Sequence, residues 1–259
     1  MKIRYHHPML YSDIFEGYDK VCKRGFDRIV TDDIEVDHTW SKRGTQTVQY
    51  ESCELLNTVE TVQHVLDAQD KGFDGVIIGC SLDIGLKESR EVATIPVVSS
   101  METAMLGCCI MGRKFSIVSF GERARVRQEQ LIDEYGLRNR ATTVRAFEMT
   151  LEELGVALTT EEKKKNLRKI FMGEAKKAVT EEGAELIIPG CGILSALCVL
   201  DEIARVDGME DVPVIDTFVP ALKLLEMLIT MKTKLSIDIS KRGLYQSPAP
   251  EVIEQIRDM

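Results

Sequence analysis

The sequence predicts an α/β protein in which parallel strands are covered by helices. Short apolar, β-branched segments alternate with helix-like segments of about ten to twenty residues along the chain, and crossover helices between parallel strands produce this order. A Gly-Cys pattern also occurs twice, 111 residues apart, at Cys80 and at Cys191. Together these two observations predict two α/β domains derived from one unit.

Eight segments are predicted as strands, and a helix-like segment follows most of them. They are residues 2–5, 28–31, 75–78, 96–98, 115–119, 142–146, 185–188 and 212–215. Each is short and is rich in β-branched or aromatic side chains, which favour a pleated strand. Eight strands predict two four-stranded parallel sheets, each flanked by helices.

The internal repeat joins an apolar strand to a Gly-Cys pair. Residues 72–80 read GFDGVIIGC and residues 183–191 read GAELIIPGC. Each copy continues through a helix-like stretch into a second short strand, IPVV in the first copy and VPVI in the second. The strand-plus-helix units ahead of the copies, which open with KIRY and KFSIVS, also match. We interpret the pattern as duplication of one α/β unit.

Two segments break the alternation of strands and helices. Residues 33–50 hold the only Trp and show no helical period, so we predict a long loop that serves as a lid or as a subunit contact. After Lys241, a turn punctuated by prolines precedes a short amphipathic helix. We expect this terminal helix to pack on the body of the protein.

Composition argues against several classes of partner. The chain has 42 acidic and 33 basic residues, a formal charge of −9, which disfavours binding to nucleic-acid or anionic-membrane phosphates. No apolar run reaches the roughly 20 residues that cross a bilayer, and the first residues lack the apolar core of a signal peptide. We expect a cytoplasmic homo-oligomer with a small-molecule substrate and with neither nucleic acid nor membrane as partner.

The seven cysteines lack the spacing of a disulfide framework and indicate reduced thiols. The four histidines form no close pattern with them, so we predict no metal site. Five cysteines lie in helix-like or unpatterned surroundings and are interpreted as small buried apolar residues. These are Cys22, Cys53, Cys108, Cys109 and Cys198.

The remaining two cysteines, Cys80 and Cys191, follow predicted strands at the edge where open α/β sheets bind ligands. A thiol at the start of a helix meets the partial positive charge of unpaired amides, so we expect a lowered pKa. The flanking Gly79, Gly190 and Gly192 allow close backbone approach and offer N–H groups to an oxyanion. Because inversion of a carbon needs an acid/base group on each face, the paired thiols predict proton transfer.

The segments around both cysteines read GCSLDIGLKESREVATIPVVSSMETAM and PGCGILS, followed by VPVIDTFVPALKLLEMLI and SKRGLYQSP. They resemble the Asp/Glu/hydantoin racemase superfamily and are most similar to its hydantoin and allantoin racemase branch, over nearly the whole chain. The resemblance implies two pseudo-symmetric domains with the active site in the cleft between them, and no PLP, metal or other cofactor. The second domain, 102–216, is then inserted into the first, 1–101 plus 217–259.

By the same resemblance, Cys80 and Cys191 are the catalytic acid/base pair. The resemblance also implies substrate contacts at His7, Pro8, Met9, Ser81, Ser119, Phe120, Gly192 and Ile193. His7 and Met9 stand where the hydantoin racemase pattern has asparagines on both sides of the proline. The Asn-Thr and Thr-His pairs that follow the cysteines in amino-acid racemases are absent, which disfavours free aspartate or glutamate.

The sequence therefore predicts a cofactor-independent racemase or epimerase. Its substrate is hydantoin-like or amino-acid-like, and the inverted carbon lies alpha to a carbonyl. Within the same superfamily, a cis–trans isomerase or a decarboxylase acting on a small carboxylate is the alternative. Outside enzymes, the alternative is a ligand-binding module without turnover.

Overall fold

The computed structural model describes residues 1–258. In chain order its strands and helices are β1 (Lys2–Leu10), α1 (Glu16–Asp27), β2 (Glu35–Ser41), α2 (Glu51–Asp70), β3 (Gly75–Ile78), α3 (Leu86–Val92), β4 (Val97–Ser99), α4 (Ser100–Met111), β5 (Phe115–Phe120), α5 (Glu122–Glu134), β6 (Arg145–Phe147), α6 (Leu151–Gly155), α7 (Glu161–Glu182), β7 (Leu186–Pro189), α8 (Gly192–Leu200), β8 (Arg205–Val206), β9 (Met209–Pro213), α9 (Phe218–Leu235) and α10 (Pro250–Arg257). Within the described residues, no helix is both long and apolar enough to cross a membrane. The α/β fold class predicted from the sequence is confirmed.

The chain forms two compact units, each built from separate stretches of sequence. The first unit comprises Met1–Tyr11, Val30–Ser100 and the residues from Ala221 onward, and the second comprises Ser12–Ile29 and Met101–Pro220. The main difference from the predicted division, 1–101 plus 217–259 and 102–216, is residues 12–29, which group with the second unit.

Contacts of α1 explain why it belongs to the second unit. The Phe26 ring packs on the Phe218 ring with centroids 5.5 Å apart. The Arg28 guanidinium, just beyond the helix, donates a hydrogen bond to the Val199 carbonyl at 3.2 Å. Both contacts join residues far apart in sequence, so the order of elements along the chain did not indicate them.

The sheet of the first unit has four parallel strands in the order β2-β1-β3-β4. Every residue of β3 is buried, as expected for a strand with a neighbour on each side and packing on both faces. A Cβ on Gly75 would lie 2.8 Å from the Leu225 side chain, so α9 packs very closely on this strand. The four-stranded parallel sheet predicted for this unit is confirmed.

One strand of this sheet lies where the sequence predicted a loop. The predicted strand at 28–31 is wrong, and β2 lies in the segment 33–50. It is an edge strand, paired with β1 alone, and most of its side chains are half-buried. Because an edge strand with partly exposed faces carries alternating polar residues, EVDHTWS lacks the continuous apolar run that identified the other strands.

Only the second part of segment 33–50 is a loop, and α2 holds it in place. The buried Asn57 side chain accepts a hydrogen bond from the Thr45 amide at 2.8 Å and donates one to the Thr47 carbonyl at 3.0 Å. The Leu10 amide in turn donates to the Thr45 carbonyl at 3.0 Å. Residues 42–50 are thereby tied to α2 and to the end of β1.

The sheet of the second unit has three parallel strands in the order β6-β5-β7. The prediction of a fourth full strand at 212–215 is wrong, because β9 pairs with β8 as an antiparallel hairpin. Val214 joins the sheet through a single parallel bridge to Ile187, and the Ile215 amide donates a hydrogen bond to the Ile187 carbonyl at 2.8 Å. Pro213 lacks an N–H and ends β9, which helps to explain why no longer ladder forms.

Each unit has its own core. In the second unit, side chains of α4 and α5 pack on β5 and β7 in a cluster that includes Met101, Met105, Phe115, Ile132 and Ile188. In the first unit, α10 packs on a smaller cluster of α2 and α3 residues through Ile253 and Ile256. The prediction that the terminal helix packs on the body is confirmed.

Candidate active site

In the second unit, Cys191 lies between a buried strand and a helix. It is the N-cap residue of α8, with φ −153° and ψ 149°, so its extended backbone turns the chain from β7 into the helix. The amides of Gly192, Ile193 and Leu194 surround its thiol. The predicted position at the start of a helix is confirmed for this cysteine.

The protonation of Cys191 differs from the expectation. Burial of the sulfur raises the pKa of the thiol from 9.0 to about 11, although the three surrounding amides act to lower it. The expected lowering of the pKa is therefore wrong, because removal from water outweighs the partial charges of the helix start. At neutral pH, Cys191 is a thiol that holds its proton.

The backbone before Cys191 is fixed by two polar side chains. The Gln128 amide donates a hydrogen bond to the Gly190 carbonyl at 2.6 Å, and the Ser119 hydroxyl donates to the same oxygen at 3.4 Å. A Cβ on Gly190 would lie 2.6 Å from the Ser119 Cβ, so this position requires glycine. Gln128 was not identified from the sequence, although it lies on the buried face of α5 with Ala124 and Leu131.

The other predicted substrate contacts in the second unit lie close to this point. Ser119 and Phe120 end β5, whose register pairs Val118 with Pro189 at the end of β7. Phe120 and Ile193 are both buried apolar side chains. The structure thus brings the predicted residues of this unit to the carboxyl ends of two adjacent strands and to the start of α8.

In the first unit, Cys80 has a different local structure. Residues 81–85 form turns, with left-handed φ angles of 52° at Asp83 and 73° at Gly85, and α3 begins only at Leu86. The prediction that Cys80 starts a helix is therefore wrong. Cys80 is 8 % exposed and Ser81, directly after it, is also buried.

Two serines fix the backbone around Cys80. The Ser99 hydroxyl donates a hydrogen bond to the Ile78 carbonyl at 3.1 Å and approaches the Cys80 carbonyl at 3.4 Å. The Ser100 hydroxyl donates to the Ile78 carbonyl at 3.2 Å. These serines were also not identified from the sequence, although a pair of polar residues directly after the buried IPVV strand indicates them.

The predicted contacts His7, Pro8 and Met9 belong to the end of β1. The predicted first strand, 2–5, ends before them, but β1 continues to Leu10, with an irregular register between His7 and Leu10. The Gly79 amide donates to the His6 carbonyl at 2.7 Å, so His7 and Cys80 follow paired positions of two adjacent strands. His7 is buried and stacks on the Trp40 ring, with centroids 4.0 Å apart.

The two cysteines have equivalent backbone surroundings within their own units. The Gly190 amide donates to the Val118 carbonyl of β5 at 2.8 Å, as the Gly79 amide does to the His6 carbonyl of β1. Each cysteine therefore follows a glycine that is hydrogen-bonded to the adjacent parallel strand. This equivalence agrees with the duplication inferred from the repeat.

Two histidines of the first unit, His7 and His38, are candidate metal ligands. The rings of His7 and His38 lie with centroids 6.2 Å apart, and together they could supply two nitrogen ligands. All seven cysteines are thiols rather than disulfides, as expected from their spacing.

Comparison with known proteins gives one consistent family. The family model described as Asp/Glu/Hydantoin racemase matches residues 18–225. The chain is 30 % identical over 176 residues to a hydantoin racemase of Rhizobium meliloti, covering 68 % of each chain. It is 27 % identical over 236 residues to a hydantoin racemase of Pseudomonas sp. strain NS671, covering 91 % of this chain and 89 % of that one.

A solved structure agrees with this result. The allantoin racemase of Pseudomonas fluorescens superposes with a TM-score of 0.79 at 25 % identity, over 96 % of this chain and 98 % of that one. The matched segment includes both Gly-Cys strand ends and most of the two units. The chain therefore belongs to the Asp/Glu/hydantoin racemase family and is an isomerase of the racemase type.

Proposed function

We propose that this protein inverts a carbon alpha to a carbonyl by proton transfer between Cys80 and Cys191. The observation that carries the proposal is that both cysteines follow a glycine whose amide is hydrogen-bonded to the adjacent parallel strand, in each of two units. Removing a proton from one face of a carbon and delivering another to the opposite face requires two acid/base groups. Two thiols of equivalent origin meet that requirement.

In one direction, the Cys80 thiolate takes the alpha-proton and becomes a thiol, and the bonding electrons pass into an enolate. The Cys191 thiol then gives its proton to the opposite face and becomes a thiolate. The raised pKa of Cys191 supports its role as donor in the resting enzyme. The amides of Gly192, Ile193 and Leu194 would then stabilise the thiolate that remains.

For the substrate, we propose a small hydantoin-like or amino-acid-like molecule. The similarity to hydantoin racemases supports a cyclic amide. The buried, ring-stacked His7 stands at the end of β1, beside Pro8 and the half-buried Met9. A sheet edge lined by an aromatic ring and by Pro8 and Met9 favours a planar molecule over free aspartate or glutamate, each of which carries two carboxylates.

Incubation with hydantoins, allantoin, amino acids and dicarboxylates in heavy water tests the reaction. With the true substrate, NMR should show loss of the alpha-proton signal together with loss of optical rotation. Cys80→Ser and Cys191→Ser should each reduce racemisation at least a thousandfold. Cys109→Ser, a half-buried cysteine on α4, is the matched control and should keep full turnover. Full turnover in both active-site variants would disprove the proposal.

Two alternatives give different results. A cis–trans isomerase in which one cysteine adds to the substrate would leave a covalent adduct that mass spectrometry of quenched enzyme detects. A ligand-binding module would protect its thiols from alkylation but would exchange no proton. The presence of two strand-end cysteines disfavours a decarboxylase that uses a single thiol as proton donor.

A further inference from the structure

A cavity of about 280 Å³ lies within the second unit. The residues that line it come from the end of α1, the last turn of α8, the hairpin region and the first turn of α9, and Cys191 is not one of them. Its apolar walls include the buried Ile203, Val214 and Phe218. Arg28 and Asp216 also line it. Since drug-sized ligands occupy somewhat larger pockets, a cavity of this volume suits a small molecule.

The Asp216 carboxylate uses only one of its two oxygens. Oδ1 accepts hydrogen bonds from the Phe218 and Val219 amides at 2.8 and 3.1 Å, at the start of α9. Among the described residues, none donates a hydrogen bond to Oδ2 and none forms an ion pair with Asp216. Burial raises the pKa of this carboxyl, although the two amides and Arg28 act to lower it. A carboxylate withdrawn from water is stabilised by a cationic donor, and Oδ2 has none.

Arg28 brings the opposite charge to the same cavity. Its guanidinium donates a hydrogen bond to the Val199 carbonyl at 3.2 Å and lies 3.9 Å from the Glu202 carboxylate, and both of these residues also line the cavity. An exposed ion pair at such a distance contributes little to stability, and a guanidinium has further N–H donors. Within the part of the chain that the structure describes, Arg28 and Asp216 form no ion pair with each other. The cavity therefore has a cationic and an anionic group, each able to bind a further partner.

We propose that this cavity is a second ligand site, which binds a free amino acid with an apolar side chain. The ammonium group of the ligand donates to Oδ2 of Asp216, and its carboxylate accepts hydrogen bonds from Arg28. Its side chain packs on the apolar walls of the cavity. Asp216 alone favours an amine and Arg28 alone favours a carboxylate, so the two together select a molecule that carries both charges. The site is separate from Cys191, and the inference does not depend on the proposed acid/base role of the cysteines.

Ligands that share one carbon skeleton test the inference on the intact protein. They are L-leucine, 3-methylbutylamine, which lacks the carboxylate, and 4-methylpentanoate, which lacks the ammonium group. Amide shifts in ¹⁵N NMR spectra show where each ligand binds, and their concentration dependence gives its Kd. Leucine should bind saturably and shift the amides of Val199, Ile203 and Val219. The amine and the carboxylate should each bind about tenfold more weakly, because each loses one charge-assisted contact.

Two variants remove one charge of the site at a time. Asp216→Asn keeps an oxygen that caps α9 but loses the charge, so it should weaken leucine binding about tenfold without weakening that of 4-methylpentanoate. Arg28→Gln should weaken leucine binding to a similar extent without weakening that of 3-methylbutylamine. Asp211→Asn is the matched control, because Asp211 is an exposed residue of β9 that does not line the cavity. This control should bind leucine as the parent protein does.

The inference is overturned if leucine gives no saturable shifts at the cavity amides, or if either single-charge analogue binds as tightly as leucine. Equal leucine affinity in Asp216→Asn and Asp211→Asn would also overturn it. Shifts confined to amides beside Cys191 would place leucine in the candidate active site and contradict a second site. The comparison of the three ligands uses the parent protein, so it remains decisive if a variant fails to fold. Because binding is measured without turnover, failure of this inference and failure of the proposed racemisation are distinguishable.

Discussion

Alanine at position 190 would force apart the two strands that carry the candidate site of the second unit. A Cβ there would lie 2.6 Å from Cβ, 2.7 Å from Oγ and 2.8 Å from Cα of Ser119. The last of these is a backbone atom, so rotation of a side chain cannot relieve the overlap. The ends of β5 and β7 must separate, which disrupts the hydrogen bonds to the Gly190 carbonyl.

The expected cost follows from this geometry. Overpacking of a well-packed interior typically costs about 1–3 kcal/mol, and contact with backbone places Gly190→Ala near the upper end, about 3 kcal/mol. Gly173 lies in α7 with nothing within 4 Å of its would-be Cβ. Gly173→Ala should therefore stabilise the protein by about 0.5–1 kcal/mol through helix propensity.

Urea unfolding of both variants measures these free energies. Ser119→Gly in the Gly190→Ala background removes two of the three overlapping atoms and should recover about half of the lost stability, a coupling that a double-mutant cycle reports. Displacement of Cys191 should also lower turnover. A Gly190→Ala protein whose free energy of unfolding lies within about 0.5 kcal/mol of the parent would refute the reasoning.

Three further predictions concern pH and local anchoring. The folded pKa of Cys191, about 11, exceeds the ordinary 9.0, so the unfolded chain loses its proton first and stability falls as pH rises from about 9 to 11. In urea titrations across this range, the free energy of unfolding of Cys191→Ala should decrease by about 2–3 kcal/mol less than that of the parent protein. Asn57→Ala removes the hydrogen-bond partner of the Thr45 amide and the Thr47 carbonyl. It should lower the free energy of unfolding by about 2–3 kcal/mol and speed proteolysis of the loop 42–50. Unchanged cleavage would contradict this. Thr150→Ala breaks the capping box of α6 and should lower the free energy of unfolding by about 1 kcal/mol, whereas no change would argue against the cap.

The fold was predictable wherever strands are buried on both faces. All residues of β3 and β7 are buried, so their apolar runs stand out between glycines. The edge strand β2 carries alternating polar residues and was predicted as a loop. The placement of α1 was likewise missed, because the contact between Phe26 and Phe218 joins residues far apart in the chain.

The two Gly-Cys copies were identifiable, but their differences were not. Cys191 caps α8, whereas left-handed residues after Cys80 insert turns before α3. The sequence indicates a helix start, which lowers the pKa of a thiol. It does not reveal burial, which raises the pKa of Cys191 by more than the helix start lowers it. The supporting contacts of Ser99 and Gln128 depend on tertiary structure and follow no spacing rule.

The most direct test of the account follows hydrogen exchange in heavy water for each enantiomer of the substrate separately. If each thiol serves one face, Cys80→Ser should retain deuterium incorporation, without inversion, into one enantiomer only. Cys191→Ser should retain it into the other enantiomer only. If either serine variant exchanges both enantiomers, or if both variants lose exchange with the same enantiomer, the two-thiol mechanism is contradicted.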